Sequence, residues 1–258
     1  MARRGWGEPS ILPVWYEKQD HVAVVRLNRP EVHNAYNRAM RDCLYEALLA
    51  VRDDPDIRVA VLLGNGPSFC SGGDVTEFGT APGPVAARAA RWRRDVAGLM
   101  ARVPKPLIAG VHGFAIGGGL EFALLCDLCV VSDDAKLRYS ETGLGTIPGV
   151  GGTQTTPRLV GPARALDILW SGRWITPAEA LEWGLAVKVV PRARLETTVF
   201  SVAADLASRD PSLLTLTKRA VWEGLDRSLA AGLRLERYLA KRTEVDRVRR
   251  HATKRAGR

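Results

Sequence analysis

The chain has 258 residues, 46% hydrophobic and 25% charged, with a formal net charge of +9. A chain of that length and balance can bury a full globular core, and no apolar run approaches the roughly 18 residues that a bilayer span needs. The start, Met1-Ala2-Arg3-Arg4-Gly5, has no apolar signal core behind it, so the expected location is cytoplasmic, with no membrane partner.

Residues 1–12 read as a loose start. Val14 to Gln19 and His21 to Leu27 read as two strands joined by a tight turn at Asp20. Pro30 ends the second, because it cannot donate to a ladder. Met40, Leu44, Ala47, Leu48 and Val51 recur at helical spacing and predict a helix over 37–52, stopped by Asp53-Asp54-Pro55. Val59 to Leu63 is a buried strand. Thr80 to Pro84 reads as a mobile loop and Val85 to Val103 as one helix, with Arg88, Arg91, Arg93 and Arg94 on its solvated face. Leu107 to Val111 is a further buried strand, and an apolar helix follows from about Gly117 to Cys126. Leu128 to Val131 and Lys136 to Tyr139 are short strands, and 140–149 is a loop with little regular structure. Beyond Gly151 the pattern is helical (152–159, 163–170, 177–183, 192–208, 211–224 and 228–242), with one strand at 186–190. No linker divides the chain.

Cys43, Cys70, Cys126 and Cys129 are too few and too scattered for a disulfide scaffold. Cys126-Asp127-Leu128-Cys129 has the form C-x-x-C, but no second pair or nearby histidine completes a zinc site, so no metal is expected. From Arg234 onward ten basic residues stand against three acidic ones, so most of the positive excess belongs to the C-terminal segment rather than to the fold. Three readings suit that segment: a solvated helix and tail, a site for a phosphorylated ligand, or a nucleic-acid arm.

Two glycine-rich turns follow buried strands. One is Gly64-Asn65-Gly66-Pro67-Ser68-Phe69-Cys70-Ser71-Gly72-Gly73-Asp74; the other is Gly113-Phe114-Ala115-Ile116-Gly117-Gly118-Gly119-Leu120-Glu121. Neither is a phosphate-binding P-loop or a dinucleotide fingerprint. Three glycines at a helix start let a ligand approach N–H groups that have no intrahelical partner at the positive end of the helix dipole. That suits a developing negative oxygen, with Glu121 one turn away; tight strand–helix packing is the alternative. Glu141, in an apolar loop, is expensive to bury without a task.

These segments together resemble the enoyl-CoA hydratase/isomerase (crotonase) superfamily, over about Asn28 to Val190. The carriers are Asn28-Arg29-Pro30-Glu31 with Asn34-Ala35, Ser68 to Asp74, Gly113 to Glu121, and Leu144-Gly145-Thr146-Ile147-Pro148-Gly149 with Gly151-Gly152-Thr153-Gln154. The resemblance implies an α/β fold, a spiral of ββα units over residues 1–195. A helical C-terminal region, 196–258, would serve trimerisation and acyl-CoA covering without being an independent domain. It implies a coenzyme A thioester as substrate, no separate cofactor, no nucleic-acid partner, and trimers or dimers of trimers. By motif position the amides of Ser71 and Gly118 would hold the thioester oxygen, Glu141 would be the base toward water, and Glu121 would orient that water. Asn34, Ala35, Ser71, Gly72, Gly73, Asp74, Val75, Gly117 and Gly118 would line the coenzyme A site. Hydration of a 2,3-enoyl thioester is the implied reaction. Double-bond isomerisation, hydration of an alicyclic or aromatic-derived acyl group, and RNA binding through the basic segment are the alternatives. Ser140 departs from the proline usual before the base, and Arg249 to Arg255 departs from the usual C-terminal ending.

Overall fold

The computed structural model describes residues 12–256, with the side chains of residues 90–92 and 244–256 outside the described set. The loose start expected over 1–12 lies outside it except for the last residue. The chain forms two compact units, 1–207 and 208–258.

In the first unit β1 (Val14–Gln19) and β2 (Val22–Leu27) form an antiparallel hairpin about Asp20, whose φ is 50°. β3 (Val59–Gly64) adds parallel to β2, and β4 (Leu107–Val111) parallel to β3. β5 (Phe114–Ile116) leaves this sheet and pairs in parallel with β7 (Lys136–Arg138), while β6 (Leu128–Ser132) and β8 (Lys188–Val190) complete the six-stranded order β1-β2-β3-β4-β6-β8.

Both faces of the six-stranded sheet are covered, as a parallel sheet requires. Alternate residues of β2 and β3 divide between two cores. Ala23, Val25, Leu27, Ala60 and Leu62 face one that includes α1 (Arg38–Asp53), α3 (Val96–Arg102), α4 (Gly118–Leu125) and α6 (Pro162–Ser171). Val22, Val24, Val59, Val61 and Leu63 face the other, which α8 (Leu195–Ala207) closes with Leu195, Val199 and Ala203. α5 (Gly152–Val160) and α7 (Pro177–Glu182) complete the later helices of this unit.

Three local readings change. The single helix expected over 85–103 is two, α2 (Pro84–Trp92) and α3, because Asp95 caps α3 by accepting the Gly98 N–H at 2.8 Å. Arg94 is half-buried rather than fully solvated, and pairs with Glu46 of α1 at 2.6 Å. β5, three residues between Gly113 and Gly117, is too short to show a period. The sequence placed a division at 195/196, whereas the compact unit runs on to Ala207, since α8 buries its apolar face on the sheet.

The second unit contains α9 (Pro211–Leu225) and α10 (Leu229–Ala256), which pack on each other around an apolar groove of about 620 Å³. The arginines of 249–255 have side chains outside the described residues. Among the described residues no helix is long and apolar enough to cross a membrane, and no cluster of three or more His, Cys, Asp or Glu could hold a metal ion. None of the four cysteines forms a disulfide, and burial pushes the Cys70 and Cys129 thiols up to about 12.

Candidate active site

β3 and β4–β5 each end in one of the glycine turns, and the chain stitches the two together. Cys70 donates to the Phe114 carbonyl and accepts from Ile116, at 2.9 and 3.0 Å. A Cβ on Gly119 would lie 2.2 Å from the Cys70 carbonyl, so only glycine lets the start of α4 approach this closely. Gly117 turns the chain from β5 into α4 with φ 49° and ψ −120°, a conformation that side chains disfavour. Its N–H donates to the Arg138 carbonyl at 2.9 Å, which ties the turn to the end of β7.

The amide arrangement corrects one expectation. The Ser71 N–H donates to the His33 carbonyl at 2.9 Å and is not free for a ligand. Gly73 sits in a parallel bridge with Tyr36, in which Gly72 accepts from the Tyr36 N–H at 2.7 Å and the Asp74 N–H donates to Tyr36 at 3.0 Å. A residue so flanked turns its own N–H away from the bridge partner. The Gly73 nitrogen lies 4.0 Å from where a Cβ on Gly118 would stand, and the Gly118 nitrogen 3.7 Å from the corresponding point on Gly72. Two N–H groups without acceptors among the described residues, those of Gly73 and Gly118, therefore adjoin across the two turns. The sequence named both glycines, but assigned the donor role of the first turn to Ser71.

Both glutamates meet these turns. Glu121, on the first turn of α4, is 1% exposed. Its Oε1 accepts the N–H groups of Val150 and Gly152 at 2.8 and 2.7 Å, and its Oε2 is the carboxylate oxygen nearest Gly118, 3.9 Å from that residue's Cβ position. Burial raises the Glu121 pKa, the two amides oppose the rise, and the charge of Glu141 adds to it. Glu141 follows β7; its Oε2 accepts the Ser140 N–H at 2.8 Å, and its Oε1 stands 2.5 Å from the Cβ position of Gly117. Its pKa is also raised, by burial first, against its own and the Ser140 amide and the positive charge of Arg138. Each carboxylate thus has one oxygen fixed by backbone N–H groups and another beside the glycine turn. Ser140 in place of proline supplies the N–H that holds Glu141.

The side chains of Asn34 and Asp74, also expected at the binding site, brace the first turn. The Asn34 side chain, fully buried, donates to the carbonyls of Asn65, Ser68 and Phe69 at 2.8–3.1 Å and accepts from the Arg29 N–H at 2.7 Å. Asp74 pairs with Arg29 at 2.9 Å and caps the turn over Val75–Glu77. Arg29 also donates to the Ala35 carbonyl at 2.6 Å. Val75 is exposed, and Phe78 lies with its ring 3.2 Å from the Gly73 Cβ position.

The profile of the Enoyl-CoA hydratase/isomerase family matches residues 17–255. The (E)-benzylidenesuccinyl-CoA hydratase of Thauera aromatica is 40% identical, covering 86% of this chain and 87% of its own. The crotonyl-CoA hydratase of Syntrophomonas wolfei is 35% identical, covering 85% of each. A Geobacillus kaustophilus enoyl-CoA hydratase structure superposes with a TM-score of 0.86 at 34% identity, over 92% of this chain and 91% of the other. A Thermobifida fusca chain assigned as an enoyl-CoA hydratase, crystallised in complex with CoA, gives 0.84 at 29% identity over 92% and 95%.

Proposed function

From the chain's membership of the enoyl-CoA hydratase/isomerase family, as an enzyme with its crotonase-type α/β fold, we infer that it adds water across the 2,3-double bond of an enoyl-CoA thioester. The thioester oxygen accepts from the Gly73 and Gly118 amides. One water sits between the free oxygens of Glu121 and Glu141. Glu141 takes a proton from the water as its oxygen bonds to C3, and the electrons of the double bond move onto the thioester oxygen as an enolate. The carboxyl pair then returns one proton to C2, and both glutamates end as they began. Because they titrate as a coupled pair, the proton belongs to the pair rather than to either side chain.

The observation that carries this reading is the matched pair of half-anchored carboxylates beside two acceptor-free amides. Preorganised donors aimed at developing charge contribute about 10²–10³ each in rate, and positioned acid–base groups about 10²–10⁴. The presence of both glutamates favours hydration over isomerisation, which needs a proton shuttle but no activated water. The reading uses coenzyme A only as part of the substrate. It extends to a trimer or dimer of trimers, with residues 196–258 covering the acyl-CoA, and analytical ultracentrifugation tests that part. Glu121→Gln and Glu141→Gln, assayed with crotonyl-CoA, test the chemistry: each lowers kcat by about 10² or more while coenzyme A binding persists. Near-wild-type kcat in either removes that residue from the mechanism.

A bulky, aryl-bearing acyl group is the second reading for the substrate. It rests on the 40% identity to a hydratase of (E)-benzylidenesuccinyl-CoA and on the exposed apolar side chains flanking the site, Phe78 on the first turn and Leu144 and Ile147 just after Glu141. A higher kcat/KM with an aryl enoyl-CoA than with crotonyl-CoA supports it; the reverse order rejects it.

A further inference from the structure

Arg138 is a charged residue beside the glycine turn that the reaction scheme leaves unused. It pairs with Ile116 across the β5–β7 ladder, and its carbonyl receives the Gly117 N–H, so its backbone fixes the turn against which Glu141 rests. Its guanidinium carbon stands 4.9 Å from the centre of the Trp174 ring. Its Nε is buried without a hydrogen-bond partner, and among the described residues no acidic side chain comes within ion-pair distance of it. A partly buried cation held by an aromatic face alone keeps an unneutralised field. Glu141 follows three residues later.

We propose that Arg138 is a positioning residue, which with Trp174 holds an uncompensated positive charge on the strand that leads into Glu141 and so biases the shared proton toward Glu121, leaving Glu141 ionised to receive the proton of water. The inference rests on the hydration reading for its meaning, but its test does not need turnover. The charge of Arg138 opposes the upward push of burial on Glu141, whereas on Glu121 the opposition comes chiefly from backbone amides. The titratable groups facing Glu141 are Glu121 of α4 and Tyr139, whose hydroxyl is bonded to Thr156. The charges of α6 and the turn after it are engaged elsewhere: Arg164 stacks on Trp183, and Arg173 pairs with Asp167 and Glu179.

The sign follows directly. Without the cation Glu141 holds its proton to higher pH, and the acidic limb of kcat/KM moves up. A single charge a few ångströms beyond ion-pair contact in a partly wetted site is worth about 0.5–1 pH unit. The experiment is a ¹³C NMR titration of the glutamate carboxyls in wild type, Arg138→Gln and Arg138→Lys, with Glu141→Gln for assignment. The expected result is an upward move of the Glu141 midpoint in Arg138→Gln that Arg138→Lys largely reverses, with the acidic limb of kcat/KM following it. An unmoved midpoint overturns the proposal, even if kcat falls, since a merely structural role lowers activity without moving the titration. If Arg138→Gln does not fold, Trp174→Leu loosens the cation and must raise the midpoint in the same direction; no change there is equally fatal. Should the wild type show no hydratase activity, the hydration reading fails, while the titration still decides whether Arg138 sets the ionisation of Glu141.

Discussion

Replacing Gly117 by alanine perturbs backbone and base together. With φ 49° and ψ −120°, an alanine here occupies a conformation that costs about 1–3 kcal/mol. Its methyl would also stand 2.5 Å from Glu141 Oε1, where ordinary contact begins at 3.4 Å. The carboxylate must therefore retreat by about 1 Å, and a misplacement of that size costs about 10² in rate, or roughly 2.7 kcal/mol of barrier. Gly117→Ala should therefore unfold at lower denaturant, with a stability loss of about 1–3 kcal/mol, and should lose kcat more than it loses coenzyme A affinity. Chemical denaturation, calorimetric titration with coenzyme A and steady-state assay measure the three quantities. A variant whose kcat stays within about threefold of wild type, against the factor expected of a displaced base, shows that Glu141 does not work from this position.

An amide-to-ester replacement between Gly72 and Gly73 deletes the proposed donor, besides weakening the Gly72 carbonyl that accepts from Tyr36, and should lower kcat about 10²–10³; the same replacement between Cys70 and Ser71 deletes an N–H spent on His33 and not on the developing oxyanion, and should lower kcat far less. Equal losses in the two would return the donor role to the Ser71 segment. Asn34→Ala strands three carbonyls and the Arg29 N–H in a buried place, and should cost about 3–5 kcal/mol by thermal denaturation; a loss below about 1 kcal/mol denies the scaffold role. Glu121 has a pKa raised by folding, so it weakens the fold as pH rises from the ordinary carboxylate range through its own raised value. Glu121→Gln should therefore melt above wild type at neutral pH, with the gap closing as pH falls toward 4.5, the ordinary glutamate value. A gap that is constant or widens in acid contradicts the raised pKa.

Much of this site is readable in the sequence because it is local. The buried runs at 59–63 and 107–111, the glycines that follow each, and an acidic residue one turn into an apolar helix are all adjacent in the chain. Glu141 stands out because a carboxylate among apolar neighbours is costly. The donor assignment failed for a non-local reason. Whether Ser71 or Gly73 turns its N–H toward Gly118 depends on His33 and Tyr36, some forty residues earlier, which decide which amides are consumed. Arg138 was hidden in the same way, since its meaning comes from Trp174 and Gly117 rather than from its neighbours. Asn34 and Asp74 were grouped with the binding residues by motif, although their side chains hold the turn that presents the amides.

The most direct test of hydration follows the enoyl-thioester absorbance when the protein meets crotonyl-CoA and, separately, an aryl-substituted enoyl-CoA, with Glu141→Gln as control. The account predicts a rapid loss with at least one substrate, a 3-hydroxyacyl-CoA product, and a slowing of about 10² or more in the variant. Loss that is indifferent to Glu141, or no loss with either substrate while coenzyme A still binds, would contradict it.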